Sequence, residues 1–168
     1  MFIIICKTCL DKKFVCCVFC KNCYVFFECL NEVKMKLIIF RHGETDGNVK
    51  NIVQGAGIDC PLNETGKKQA ALLRDRLASE KLPAVYCSHL CRARETAEIV
   101  ASSNHAPVIE RDGLEEVHYG IAEGMLSAEA HVKFAAVLEA INDKSNPDRF
   151  DVSIPGAVSY THLTLPTT

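Results

Sequence analysis

A histidine between an arginine and a glycine follows the apolar run 36–40, in the order Arg41-His42-Gly43. Neutral imidazole is a good nucleophile toward phosphorus, and an arginine supplies fixed charge and a fork of donors that matches phosphate oxygens. Gly43 leaves room for the close approach of a phosphoryl group. A single Arg-His pair is a weak signal, because histidine fills many roles, so the interpretation depends on further residues.

A second arginine, Arg92, lies in the first turn of a helix that we predict after Ser88. Helix N-termini offer unpaired N–H groups and partial positive charge to an anion. A phosphoryl group held between Arg41 and Arg92 would have its developing charge stabilised by preorganised donors. The alternative is a surface arginine beside Glu95.

Two adjacent carboxylates, Glu115 and Glu116, follow the third predicted strand. The leaving alkoxide of a phosphomonoester needs a proton, and a carboxyl group buried beside phosphate can supply one as a general acid. The alternative is a pair of solvated loop carboxylates, and we expect that reading to hold for at least one of them.

Residues so far apart in the chain need a scaffold that brings them together. Apolar runs predict strands at 36–40, 83–87 and 107–110, with amphipathic helices between and after them. This alternation favours a three-layer α/β/α fold with a mainly parallel sheet. Ligands of such sheets gather outside the carboxyl ends of the strands, where His42 and Ser88 both fall, so the two turns could face one pocket.

Three helices can be placed on the sequence. The first follows residues 63–66, and its apolar stripe consists of Leu72, Leu73, Leu77 and Leu82. The second spans about 90–103, with Ser88 where an N-cap belongs. The third is a single amphipathic helix from Ser127 to about Asp143, with Val132 among its apolar positions.

Length and composition are typical of one soluble α/β domain: 168 residues, 48% hydrophobic and 24% charged. A net charge of -2 gives no electrostatic reason to expect nucleic acid or an anionic membrane as partner. No apolar stretch reaches the roughly 18 residues of a spanning helix, and a basic start with a cleavage site is missing. We therefore expect a cytoplasmic protein.

Seven of the ten cysteines lie in the leader 1–34, before Met35. Two CxxC pairs, Cys6 with Cys9 and Cys20 with Cys23, could hold zinc through four thiolates. The spacing is shorter than in the usual four-cysteine ribbon, and no glycine opens either knuckle. We favour the alternative, in which Met35 is the true start and the leader is translated upstream DNA.

The tail 157–168 carries no charge and shows no core pattern. It resembles the translation of a sequencing adapter, and the alternative is a natural β-rich segment. We exclude it from fold reasoning, with the native gene expected to continue beyond about Gly156.

Four motifs, in order, resemble those of the histidine phosphatase superfamily, also called the phosphoglycerate mutase-like family. They are RHGET at 41–45, DCPLNETG at 59–66, the Ser88-to-Ala97 stretch and LEEVHYG at 114–120. The resemblance covers essentially all of residues 35–156, and it implies the α/β fold described above.

The resemblance also implies roles for single residues. His42 would be the phosphorylated nucleophile and Glu116 the general acid, with Glu115 its bystander. The phosphoryl group would be bound by Arg41, Asn48 and Arg92, and a substrate-side position matches Gln54 and Gly55. The scheme requires no metal and no other cofactor, and the partner would be a small phosphorylated metabolite.

The family's second histidine, on a turn after a late strand, has no counterpart here. Pro155-Gly156 resembles the start of the family's Pro-Gly-Gly-Glu-Ser segment, after which the chain changes to the tail. The alternative is an ordinary Pro-Gly turn. We therefore expect the 35–156 domain to be incomplete at its C-terminus, and the late histidine to be lost by truncation.

About 30 residues separate Gly124 from Pro155, which resembles the phosphatase branch, because family mutases carry a longer insertion there. The function we predict is phosphomonoester hydrolysis through a phosphohistidine. Phosphoglycerate mutase-type transfer is the alternative, and a non-catalytic fragment is another, since losing one residue of a group that acts together can remove most of the rate. Substrate identity and oligomeric state stay open.

Overall fold

The computed structural model describes residues 2–7, 36–149 and 152–157. The chain divides into two compact units. Unit 1 comprises Met1–Thr45 and Cys60–Glu115, and unit 2 comprises Asp46–Asp59 and Glu116–Thr168. Each unit is described by itself.

Unit 1 is built on a four-stranded sheet with two helices. The strands are β1 (Phe2–Lys7), β2 (Lys36–Arg41), β3 (Val85–Cys87) and β4 (Val108–Glu110), in the spatial order β2-β1-β3-β4. Strand β1 is antiparallel to both β2 and β3, and β4 is parallel to β3, so β2, β3 and β4 point the same way. Three of the four strands thus share one direction, although two of the three strand pairings are antiparallel because of β1, and the expected α/β fold is confirmed.

Strand β1 lies in the leader, where the sequence analysis predicted no strand. Its residue Ile5 is paired with Ile38 of β2 on one side and with Val85 of β3 on the other. Cys9, Cys20 and Cys23 of the two CxxC pairs lie outside the described residues, as does most of the tail 157–168. The domain start at Met35 and the zinc alternative stay predictions.

The core of unit 1 forms where α2 (Glu64–Leu77) and α3 (Cys91–Ala101) pack on the sheet. Ile38 and Phe40 of β2 point into this core beside Val85 and Val100. Ile39 alternates with them and is 3% exposed, so both faces of β2 are shielded from water. Two expected stripe residues are wrong. Leu72 is 72% exposed, because the buried face of α2 is made by Ala70, Leu73 and Leu77, and Leu82 is buried but lies beyond the end of the helix.

The start of α3 also differs from the prediction. Its N-cap is Leu90, with no side-chain capping bond, and the expected cap Ser88 lies two residues earlier. Leu90 is 1% exposed and belongs to the core, so the residue at the N-cap position packs its side chain into the core and offers no capping group. By contrast, α2 has a side-chain cap, since the Asn63 side chain accepts from the backbone N–H of Gly66 at 2.8 Å, and the helix therefore begins at Glu64, within the stretch 63–66 that we expected to precede it.

Unit 2 contains short helices joined by irregular loops. These are α1 (Asp46–Val49), a 3₁₀ turn (Gly120–Ala122), α4 (Ser127–Lys133) and α5 (Ala135–Asn142). Isolated bridges join Ile52 to Leu126 and Tyr119 to Ala157. Its core is the cluster of Ala122, Ala130, Phe134 and Ile154.

The prediction of a single helix from Ser127 to Asp143 is wrong, because the helix is interrupted at Phe134. There the backbone leaves helical geometry (φ -112°, ψ 22°), and the Phe134 side chain is buried to 7% exposure. At this interruption the Phe134 ring packs into the core of unit 2. Val132, which we expected on the apolar face of the helix, is 81% exposed. No helix within the described ranges is long and apolar enough to span a bilayer.

Candidate active site

The turn that carries His42 leaves the carboxyl end of β2. Gly43 and Thr45 are buried, His42 is half-buried, and Arg41, the last residue of β2, is exposed. The backbone N–H of Gly43 donates to Oγ1 of Thr96 in α3 at 3.1 Å. The carboxyl ends of β2 and β3 therefore lie at the same edge of the sheet, as expected for a ligand site in such a fold.

The imidazole of His42 has a defined orientation. Its Nδ1 lies 2.6 Å from the carbonyl oxygen of Gly43. A carbonyl oxygen can only accept, so Nδ1 must carry the proton, and in the neutral ring the lone pair is on Nε2. This tautomer leaves Nε2 as the nucleophilic atom.

The pKa of His42 is lowered from 6.5 to about 4. Burial is the largest cause, and the positive charges of Arg41 and Arg92 add to it, while the hydrogen bond to the Gly43 carbonyl opposes it. A ring with this pKa is neutral at pH 7 and keeps its Nε2 lone pair. The two arginines therefore raise the nucleophilic fraction of the ring that they flank.

Arg92 is the second residue of α3 and is 1% exposed. A guanidinium group so deeply buried is rare unless an anion or a polar partner meets it. Oγ1 of Thr96 accepts from the backbone N–H of Gly43 and donates to the backbone carbonyl of Arg92, so the turn of His42 lies beside the first turn of α3. The structure thus brings the Arg41-His42 segment close to Arg92, and because Arg92 is buried the surface-arginine alternative is wrong.

A contact between two glycines explains why the motif at 59–66 accompanies the His42 turn. A Cβ atom added to Gly43 would overlap the backbone carbonyl of Gly66, and one added to Gly66 would overlap that of Glu44. Asn63 donates its side-chain amide to Oε1 of Glu44 at 2.9 Å, and its backbone N–H donates to the Glu44 carbonyl at 3.0 Å. The N-terminus of α2 is therefore fixed directly on the turn that holds His42.

Each carboxylate oxygen of Glu115 has a hydrogen-bonding partner inside unit 1. Its Oε1 lies 3.2 Å from Nδ1 of His89, and its Oε2 accepts from the backbone N–H of Gly113 at 2.6 Å. Both carboxyl oxygens thus have partners within unit 1.

The remaining predicted site residues lie in unit 2. Asn48 is in α1, and Gln54 packs against Gly47, where a Cβ atom would lie 2.6 Å from the Gln54 side chain. Gly55 is buried, and Glu116 is half-buried, with its Oε1 accepting from the N–H of Val117 at 3.2 Å. The roles of these four residues beside His42 stay predictions.

Four residues that hold the turn of His42 in place received no individual role from the sequence: Glu44, Asn63, Gly66 and Thr96. All four lie in the motifs quoted above, and two of them carried a further signal. Thr96 lies one helical turn after Arg92, on the same helix face. Gly66 is a glycine in the first turn of a helix, where it costs stability unless another backbone approaches closely.

Among the residues of the described ranges, no group of three or more His, Cys, Asp or Glu side chains could hold a metal ion.

The pattern of the histidine phosphatase superfamily (branch 1) matches residues 37–161, and the chain belongs to this superfamily. A metal-independent phosphoserine phosphatase of Arabidopsis thaliana is 38% identical over 123 residues, which are 72% of this chain and 50% of that protein. Phosphoglycerate mutase-like protein 4 of the same plant is 36% identical over 123 residues, 72% of this chain and 51% of that protein. The solved structure of Bacillus stearothermophilus YhfR is similar with a TM-score of 0.62 and 31% identity, over 73% of this chain and 58% of that one.

The chain therefore spans between about half and three fifths of the length of the relatives that it matches.

Proposed function

We propose that the protein hydrolyses small phosphomonoesters through a phosphohistidine intermediate at His42. The observation that carries the proposal is the state of this ring. His42 is neutral at pH 7, its Nδ1 proton is bound to the Gly43 carbonyl, and its Nε2 lone pair lies in a region charged by Arg41 and Arg92. A neutral, oriented imidazole between guanidinium groups suits attack on a phosphoryl group.

In the first step, Nε2 of His42 forms a bond to phosphorus while the bond from phosphorus to the leaving oxygen breaks. The phosphoryl oxygens would be neutralised by Arg41 and Arg92, with Asn48 as a further donor. Glu116 would give its proton to the leaving oxygen, so that the product departs as an alcohol.

In the second step, water attacks phosphorus and the P–N bond breaks. Glu116, now a carboxylate, would take the proton of the attacking water, and Nε2 of His42 recovers its lone pair. Phosphate is released and both residues return to their starting states. Gln54 and Gly55 would contact the organic part of the substrate, and the scheme needs no metal.

The substrate class follows from the small phosphorylated molecules named for the relatives. Phosphoserine is the first substrate to test, because a phosphoserine phosphatase is 38% identical over 123 residues. Phosphoryl transfer of the mutase type is the second candidate, since a phosphoglycerate mutase-like relative is nearly as similar. Incubation with 3-phosphoglycerate and a bisphosphate primer separates the two: a phosphatase releases inorganic phosphate, and a mutase forms 2-phosphoglycerate.

We also propose that the 168-residue chain turns over slowly compared with a longer chain that adds a second phosphate-binding histidine. The chain matches only about half the length of its relatives, and residues that act as a group lose most of the rate together. Phosphohistidine formation depends on the Arg41, His42 and Arg92 region and is the step to measure first.

The test is to trap the intermediate. The chain is incubated with a phosphomonoester that carries radiolabelled phosphate, and acid-labile, base-stable label on the protein is counted. We expect label on the wild type and on His131→Ala, which changes an exposed histidine of α4, and none on His42→Ala. Equal label on the wild type and His42→Ala would refute the mechanism.

A further inference from the structure

Glu123 of unit 2 is a carboxylate with no role in the scheme above, although it is almost buried. It directly follows the 3₁₀ turn Gly120–Ala122, and its side chain is 12% exposed. Removing a carboxylate from water is costly unless hydrogen bonds compensate for the lost hydration. The position therefore requires partners, and the partners identify what the residue does.

Two different loops donate to the same oxygen of Glu123. Oε1 accepts from the backbone N–H of Tyr119 at 3.0 Å and from the backbone N–H of Gly57 at 3.4 Å. Nδ1 of His118 lies 3.8 Å from this oxygen and adds positive charge when the ring is protonated. One carboxyl oxygen thus joins the loop 54–57 to the loop 116–120.

The loop 54–57 has glycines at the two positions that lie next to the Glu123 carboxylate. A Cβ atom added to Gly55 or to Gly57 would overlap an oxygen of the Glu123 carboxylate. The backbone N–H of Ala56 donates to the carbonyl of Val117 at 3.3 Å, which links the same two loops a second time. A side chain at either glycine would therefore displace the Glu123 carboxylate from this position.

We infer that Glu123 is a positioning residue that fixes the loop of Gln54 and Gly55 against the loop of Glu116. The inference deepens the proposed function and rests on it, since these loops carry the proposed substrate-side residues and the proposed general acid. Glu123 acts through Glu116. Without the Glu123 carboxylate, the N–H groups of Gly57 and Tyr119 lose this acceptor, and the loop 116–120 that carries Glu116 is no longer held in position.

The kinetic test compares two substrates that differ in their need for an acid. An alkyl phosphate such as phosphoserine needs protonation of its leaving oxygen, whereas p-nitrophenyl phosphate has a stable leaving group and does not. We expect Glu123→Ala to lower kcat for phosphoserine by about 10-fold and for p-nitrophenyl phosphate by less than about 2-fold, since positioned acids supply factors of about 100 or more. Glu123→Gln, whose amide oxygen can still accept both bonds, should restore most of the rate.

Equal losses on the two substrates would mean a merely structural residue and would overturn the inference. Equal losses in Glu123→Ala and Glu123→Gln would overturn it as well. Glu116→Gln serves as the reference: if it shows no dependence on the leaving group, the proposed acid is wrong, and this failure is separate from that of Glu123.

A second measurement needs no turnover. Amide hydrogen exchange of Gly57 and Tyr119 is followed by NMR in the 168-residue chain. We expect both amides to exchange at least about 10-fold faster in Glu123→Ala than in the wild type, since an exposed N–H without its acceptor loses protection. Glu129→Ala, at an exposed position of α4, is the matched control. Unchanged protection of both amides in Glu123→Ala would overturn the inference.

Discussion

The hydroxyl of Thr96 accepts the backbone N–H of Gly43 at 3.1 Å and donates to the backbone carbonyl of Arg92 at 2.7 Å. Thr96 is 1% exposed, so no water competes for these bonds. The relationship ties the turn after β2 to the helix after β3, and it fixes the backbone of Arg92 beside the turn that carries His42.

Thr96→Val is expected to loosen this link. Valine has nearly the shape of threonine but leaves the buried Gly43 N–H without an acceptor, which costs about 1–3 kcal/mol of unfolding free energy. We also expect about a 10-fold loss of phosphohistidine formation, because small misplacements of reacting groups are expensive. Urea unfolding and the trapping assay measure the two effects. Thr96→Ser keeps the hydroxyl, and the prediction is wrong if serine and valine behave alike.

Gly66→Ala tests the close contact between the first turn of α2 and the turn that carries His42. In an ordinary helix the change would stabilise by about 0.5–1 kcal/mol, because glycine is the poorer helix former. Here the new Cβ atom would overlap the Glu44 carbonyl, so we expect destabilisation and reduced labelling of His42. Lys68→Ala, at an exposed site of the same helix, is the control. A more stable Gly66→Ala protein would contradict the geometry.

Much of the scaffold could be predicted because its signals are local. Runs of β-branched and aromatic residues placed β2, β3 and β4 to within two residues, and the motif order placed Arg41, His42 and Arg92. What could not be predicted depends on tertiary contacts. The break at Phe134 accompanies burial of its ring in a core that sequence periodicity does not reveal, and the N-cap position of α3 is taken by the buried Leu90 and not by Ser88. No motif or spacing singles out Glu123, whose partners Gly57 and Tyr119 lie on two different loops that only the fold brings together.

Stability should depend on pH through His42. Its pKa falls from 6.5 to about 4 in the folded chain, so between these values the unfolded chain binds the proton more tightly. The contribution of His42 to the free energy of unfolding is therefore complete above pH 6.5 and lost as pH falls toward 4, with a slope of up to about 1.4 kcal/mol per pH unit.

Urea midpoints of the wild type and His42→Ala between pH 4 and 7 give this slope by difference. His131→Ala, at an exposed histidine, should keep the wild-type slope. Parallel curves for the wild type and His42→Ala would mean that the imidazole is not held neutral by its surroundings.

The two adjacent glutamates should differ sharply in function. Both oxygens of Glu115 act as acceptors, toward His89 at 3.2 Å and the Gly113 N–H at 2.6 Å, so the carboxylate is held by partners of unit 1. We expect Glu115→Gln to change kcat for phosphoserine by less than about 3-fold, and Glu116→Gln to lower it by about 100-fold, the usual loss when a general acid is removed. Each variant is the control for the other, since both remove one charge from neighbouring positions. A larger loss in Glu115→Gln would move the acid to Glu115, and the hydrogen bonds to His89 and Gly113 would then have to open before each turnover.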